Sequence, residues 1–294
     1  MKWIWLGMAM AAAAWGQVGG VRGGVVFDAP ARAVRVMEGV AGSAHLGGAV
    51  LEGVERAWVS PGGGAAVVRG SGGWAVVKGF PGDLREERPV EVEAERVKWS
   101  AGGRYVAIGG GGGIEVWDVE GMERVAKFDP EEGREAASLG VNDEGELVVA
   151  WFDGEGTVAE VWRQGQWQEA GSVRGRGVVA VAGARVALAG EGEVAVFEGE
   201  KELWRAGMEG RGAWAGVEIV GNEVVAASGK ALVVWPVAGG EGTELELEVE
   251  AERLERMGGG EGLVLRLRER EGEEIWVAVK RGGQWRAYFV PAGE

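Results

Sequence analysis

Cysteine is absent from the 294 residues, histidine occurs once, and threonine and asparagine occur twice each. Without cysteine there is no disulfide framework, thiol nucleophile, cysteine-bound zinc or iron–sulfur centre. With His45 as the only imidazole, multi-histidine metal sites are excluded, and any Ser-His-Asp arrangement must use that residue. Aspartate (6) and lysine (7) are scarce beside 40 glutamates. Almost no window of twelve residues lacks a glycine, which works against helix. Only Asp129–Leu139 and Glu250–Met257 have room for a helical turn or two. No apolar run reaches the ~20 residues of a membrane span.

Glycine is present in excess, at 57 residues, together with 15 tryptophans and a 46% hydrophobic fraction that is enough to build a core. Residues 1–16 read as a secretory signal: Lys2, an apolar stretch from Trp3 to Ala14, and a small-x-small site, Ala14-Trp15-Gly16, before Gln17. Removing them leaves 278 residues with 30 basic and 46 acidic side chains, a net charge of −16. Such a surface repels phosphate backbones and anionic lipid, so neither a nucleic-acid partner nor membrane insertion after signal removal is expected. The expected location is secreted or periplasmic, with residues 17–294 forming one domain and the chain a monomer.

Internal repetition is the strongest signal. Val90-Glu-Val-Glu-Ala-Glu-Arg-Val97 recurs as Leu247-Glu-Val-Glu-Ala-Glu-Arg-Leu254, 157 residues later. Apolar segments followed by turns appear as Trp58–Val68, Trp99–Ile108 and Val141–Val149. Strands ending in an aromatic follow as Ile114–Asp118, Val158–Trp162, Val194–Phe197 and Leu232–Trp235. Successive units start near Glu55, Arg96, Ala136, Gly177, Gly216 and Arg253, at gaps of 41, 40, 41, 39 and 37 residues. Several short strands repeating every forty or so residues predict an all-β propeller of four-stranded blades. Val25–Asp28 aligns with Glu115–Asp118 as a third-strand position, and Ala33–Met37 follows it like an outer strand. Seven blades are favoured, with too few residues before Val25 for two inner strands in the first; the alternative is six blades plus an N-terminal hairpin.

These repeats resemble those of bacterial secreted β-propellers of the WD40/YVTN-like kind, with Ile114-Glu-Val-Trp-Asp118 carrying the Trp-Asp ending. Val26–Asp28 and the Gly39–Gly47 region are similar to the N-terminal part of exported propellers. The chain departs from strict WD40 blades in lacking the Gly-His pair and the histidine tetrad. The resemblance implies a ring that binds a partner, and no reaction.

Candidate sites have bland readings beside sharp ones. The run Gly109–Gly113 suggests a phosphate loop, but a strand-like segment follows where a helix N-terminus is needed, so a hairpin turn is expected. Gly62–Gly64 and Gly258–Gly260 are read as turns too. Trp117, Trp162 and Trp235 share one repeat position and are expected to pack between blades; Trp151, Trp167, Trp214 and Trp285 fall outside that register. The alternating runs Glu91/Glu93/Glu95 and Glu244/Glu246/Glu248/Glu250 are read as charged outer edge strands rather than a cation ladder. Asn142-Asp-Glu-Gly145 lacks calcium-hand spacing and is read as a turn. His45 has no catalytic neighbour in the sequence. No catalytic, cofactor-binding or metal-binding residues are assigned, and no cofactor. The expected function is a non-catalytic binding or scaffold module for an unknown protein or small ligand at a propeller face. The alternative is a carboxylate- or calcium-dependent hydrolase or lactonase, for which Asp118, Asp143 and Asp153 are the first residues to examine.

Overall fold

A computed structural model describes residues 22–39, 43–82, 84–129, 134–257, 263–268 and 275–291. Residues 1–16, read above as a secretory signal, and Gly258–Gly260 lie outside these residues. All regular structure among them is strand. The first sheet holds β1 (Arg22–Asp28), β2 (Ala33–Glu38) and β3 (His45–Glu52). The second holds β4 (Arg56–Val59), β5 (Ala65–Gly70), β6 (Gly73–Lys78) and β7 (Glu86–Pro89). The third comprises β8 (Arg96–Trp99), β9 (Tyr105–Gly110), β10 (Gly113–Asp118) and β11 (Glu123–Phe128). The fourth comprises β12 (Glu135–Val141), β13 (Leu147–Phe152), β14 (Gly156–Arg163) and β15 (Gln166–Arg174). The fifth runs through β16 (Val178–Ala182), β17 (Arg185–Gly190), β18 (Glu193–Glu198) and β19 (Lys201–Gly207). The sixth runs through β20 (Gly216–Val220), β21 (Glu223–Ser228), β22 (Ala231–Pro236) and β23 (Thr243–Glu246). The seventh is β24 (Glu255–Met257), β25 (Leu263–Arg268), β26 (Ile275–Arg281) and β27 (Gln284–Val290). Every sheet is an antiparallel meander of consecutive strands.

The sequence repeat is the blade repeat: inner strands start at Arg56, Arg96, Glu135, Val178, Gly216 and Glu255, each within two residues of the expected unit start. Valine and alanine fill the second and third strands, which are buried on both faces because each sheet is stacked between two others. Seven apolar clusters result, one for each pair of neighbouring sheets. Trp58, Val67 and Val76 of the second sheet meet Val106, Ile108 and Trp117 of the third. Val26, Met37 and Leu46 of the first meet Met257, Ile275 and Val277 of the seventh, which closes the ring.

In the second, third and fourth sheets a shared turn motif joins the inner strand to the second. Ser60 Oγ accepts from the Ala65 N–H at 3.1 Å, and Ser100 Oγ accepts from the Tyr105 N–H at 3.2 Å. Asn142 does the same work in the fourth sheet, its Oδ1 accepting from the N–H groups of Glu144 and Glu146. The segment Asn142–Gly145 is thus the turn expected of it. Gly145 lies at φ 81° and stacks on the Tyr105 ring, which starts the second strand of the preceding blade. Gly63, at φ 69°, meets Val25 of β1 in the same way.

That contact fixes the place of β1 and corrects two expectations. Val25–Asp28 occupies the second-strand position rather than the third. Ala33–Met37 is not an outer strand, because β3 pairs along its other side, with Arg35 opposite Ala49 and Met37 opposite Leu46. The likeness to Glu115–Asp118 reflects a shared local device: Asp28 holds Arg35 at 3.0 Å as Asp118 holds Arg104 at 2.7 Å. The first sheet therefore has no inner strand among the described residues.

Two further expectations change. Asp129–Leu139 and Glu250–Met257 contribute to strands β12 and β24, since pairing with β13 and β25 outweighs the helical preference of Ala and Glu. Glu91, Glu93 and Glu95 are not on an outer strand: they belong to the segment linking β7 to β8, with Val92 and Ala94 turned into the core between them. The second copy is divided. Glu244 and Glu246 lie on the outer strand β23, while Glu248 and Glu250 lie on the linking segment. Alternation alone cannot distinguish a strand from an extended connector that buries every second side chain.

Trp117 and Trp235 are buried between blades as expected, and Trp162 packs partly buried at the interface of the third and fourth sheets. Trp151 and Trp214 are buried too, Trp214 donating its indole N–H to the Gly190 carbonyl at 2.6 Å. Replacing Trp235, which is 2% exposed, with alanine is expected to cost about 3–5 kcal/mol. A denaturant titration followed by tryptophan fluorescence measures it; a loss below 1 kcal/mol or so would mean that the interface repacks freely.

Candidate functional site

Two places bring polar chemistry together. The first is the inside of the ring. Lys98 on β8 is ion-paired with Glu218 on β20, joining inner strands three blades apart. Glu218 is buried and Lys98 largely so. Arg256 on β24 donates from Nη2 to the Ile219 carbonyl, while its Nε is buried without an acceptor. Trp58, Trp99, Lys98, Glu218 and Arg256 help to enclose a cavity of about 20 Å³, room for a single water. Arg56 lies 4.4 Å from the Trp58 ring centre, and burial, followed by repulsion from Arg253, holds its guanidinium below the usual range. Sequence patterning could not have paired residues 120 positions apart; Glu218 stands out only once it is seen as a charge inside an otherwise apolar inner strand.

The second place is a cleft of about 210 Å³ between the third and fourth blades. Its lining includes Gly109–Gly111 and Gly113, Arg96 and Glu135 at the starts of inner strands, and Ile114, Ala136, Arg134 and Trp151. It opens on the face that carries the second-to-third-strand turns and the blade-to-blade connectors. Gly110 pairs with Gly113 across a two-residue turn, so the glycine run is a hairpin, as expected. Bare backbone is required here: a Cβ on Gly110 would collide with the Glu93 carbonyl, and one on Gly113 with the Phe128 carbonyl. Gly111 alone in this wall has nothing within 4 Å of where its Cβ would stand.

Both arginines of the cleft are matched to carboxylates, and Asp129 also lines it. Arg96 donates to Glu95 at 3.2 Å, to Glu135 at 3.0 Å and to the Ala137 carbonyl at 3.3 Å. Arg176 of the fifth blade grips the same Glu135 at 2.6 Å and 2.9 Å, and its hydrogen bonds hold that carboxyl below its ordinary range. Arg134 pairs with Glu160 at 2.9 Å and lies 4.7 Å from the Trp151 ring centre. The indole N–H of Trp151 is buried with no acceptor.

Other residues singled out by sequence lie apart from both places. His45 is exposed at the start of β3, its Nε2 3.9 Å from Glu38. Asp118 is buried and takes the Arg104 guanidinium and the N–H groups of Glu120 and Gly121. Asp143 accepts from the Gly102 N–H at 2.7 Å, and Asp153 from the N–H groups of Glu155 and Gly156 at 3.0 Å each. These three aspartates belong to separate turns. Among the described residues no group of three or more His, Asp or Glu is placed to hold a metal ion.

No family model matches the chain, and no curated protein matches it in sequence. Its fold is shared with solved structures. Hsv2 of Kluyveromyces lactis is similar over 92% of this chain and 98% of that one, at a TM-score of 0.59 and 10% identity. A chain of the mitotic checkpoint complex is similar over 82% of both chains, with a TM-score of 0.55 and 14% identity. Hydrazine synthase of Kuenenia stuttgartiensis covers 77% of this chain and 76% of its own, with a TM-score of 0.53 and 13% identity. At such identities the likeness establishes the β-propeller fold and nothing about chemistry.

Two outcomes are expected from the charges. Lys98→Ala strands the buried Glu218 carboxylate and should cost about 3–5 kcal/mol, whereas Lys98→Met with Glu218→Leu should recover most of it. Equal losses in the single and double variants, measured by denaturant unfolding, would show that the pair is not coupled. The Asp118 carboxyl is held below its usual range chiefly by Arg104, so its contribution is full at neutral pH and fades as pH falls through its folded pKa. The melting-temperature gap between wild type and Asp118→Asn should therefore narrow below about pH 4. A gap independent of pH would remove the charge from the account.

Proposed function

We propose that the protein is an exported, non-catalytic propeller whose turn-bearing face binds a small ligand or a partner protein. The observation that carries this is the self-compensation of its polar groups. In the cleft, Arg96, Glu95, Glu135 and Arg134 already have charged partners. Among the described carboxylates, those with a resolved shift (Glu91, Asp118, Glu135, Asp153 and Glu193) are all held low. Acid–base hydrolysis calls for the opposite, a carboxyl raised toward neutrality beside an ionised one. Fold neighbours such as the checkpoint-complex chain, whose name is that of an assembly, are in keeping with a binding role. The N-terminal signal pattern supports export.

The test is calcium titration with thermal melting, beside turnover assays on ester, lactone and glycoside substrates. A real site at one hundred times its dissociation constant would add about 2.7 kcal/mol. The expected result is no turnover, and a shift equal to that given by sodium chloride of the same ionic strength. A saturable calcium-specific rise abolished by chelator, or turnover lost in Glu135→Gln, would overturn the non-catalytic reading. Mass spectrometry of exported material should find Gln17 at the amino terminus; intact Met1 in a membrane fraction would refute export.

A further inference from the structure

The cleft between the third and fourth blades has properties that narrow its ligand. Its volume of about 210 Å³ lies below the ~300–1,000 Å³ of drug-sized sites, which limits the occupant to one small ring or its equivalent. Each guanidinium on the lining already has a carboxylate: Arg96 has Glu95 and Glu135, and Arg134 has Glu160. An anionic ligand would have to displace one of these carboxylates, leaving an unpaired charge in a partly desolvated site, and Asp129 on the same lining adds to the repulsion. A neutral ligand leaves these pairs intact. The same pairs still present spare donors and acceptors side by side, since a carboxylate has about four lone-pair sites and a guanidinium five N–H groups. Hydroxyl groups both donate and accept, and so suit such a lining. Ile114, Ala136 and the indole of Trp151 add an apolar wall for C–H surface.

An extended peptide is a poorer fit. Gly110 and Gly113 are already paired with each other, and Gly109 with Arg96 and Ile114, so the wall offers no free strand edge on which a peptide could add a ladder.

We infer that the cleft between the third and fourth blades, lined by Arg96, Gly111, Ile114, Glu135 and Trp151, binds a neutral polyhydroxylated ring the size of one sugar residue. This rests on the proposed binding role and names the ligand class of the same site. Binding by the full chain is measured by ligand-observed NMR and tryptophan fluorescence. The probes are glucose, galactose, mannose and N-acetylglucosamine, beside the charged relatives glucuronate and glucosamine. At least one neutral sugar should bind saturably, and glucuronate at least tenfold more weakly. Gly111→Trp places a side chain where none now stands and should weaken binding by at least an order of magnitude without lowering the melting temperature. Gly72→Trp, at the corresponding turn of the second blade and also open, should bind as wild type does. Three results would overturn the proposal: no saturable signal from any neutral sugar, a preference for a charged one, or binding indifferent to Gly111→Trp. A protein partner found to dock on this face with no sugar bound would preserve the binding role and refute only the ligand class.

Discussion

Everything in the molecule depends on one sheet burying its side chains against the next. A four-stranded meander of Val and Ala is too small and too flat to hold itself together in water, and both of its faces are apolar. Stacking seven of them in a ring gives each face a neighbour. The fit is set by tryptophan and phenylalanine on the third strands, which wedge between sheets, and by glycines such as Gly63 and Gly145, which let a turn lie against the blade before it. Polar contacts repeat the same relation. Trp99 to the Trp58 carbonyl, Arg96 to the Ala137 carbonyl, the Val179 N–H to Ser138, and Asn142 to the Gly183 carbonyl each join residues 41 positions apart. A residue and its counterpart one repeat later are thus brought into hydrogen-bond contact across the interface.

Charge is used mainly to finish these interfaces. With 46 acidic side chains the molecule has no shortage of carboxylates, yet the buried ones among the described residues are tied to arginine, lysine, tryptophan or backbone N–H groups. Glu115 is fully buried and receives both the Arg124 guanidinium and the Trp117 indole N–H. Glu193 is pushed upward by burial, but the Arg174 N–H and the Arg205 guanidinium more than offset this and hold it low. Carboxylates so engaged are positioned for structure, and the cleft between the third and fourth blades shows the same economy turned toward a recess.

The fold was legible because its signals are periodic. Val-rich strands, glycine turns and aromatic endings recur every forty residues, and the starts of the units could be counted. The first blade was misplaced because Asp28 and Asp118 build the same arginine clasp at different turns, so local likeness did not report strand position. The linking segments were mistaken for edge strands because burial of every second residue is common to both. The cleft was half visible: the glycine run and the unregistered Trp151 both drew notice, and both line it. Arg96, Glu135 and Arg176 stand at matching repeat positions, 39 and 41 residues apart, so their contact follows the repeat relation above. What no spacing rule supplies is the Lys98–Glu218 pair, which is joined only by closure of the ring.

Each sheet is built from strands consecutive in sequence, and this has a mechanical consequence. Many rings are fastened by a strand from one end of the chain entering the sheet at the other, so that a backbone ladder spans the joint. Among the described residues the joint between the seventh and first sheets is made by side chains, with Val26, Met37 and Leu46 resting on Met257, Ile275, Val277 and Val290. Side-chain contact resists shear poorly compared with a ladder of hydrogen bonds. As far as the described residues go, this joint is a clasp rather than a weld, and a pull across it is borne by apolar contact before any blade is unravelled.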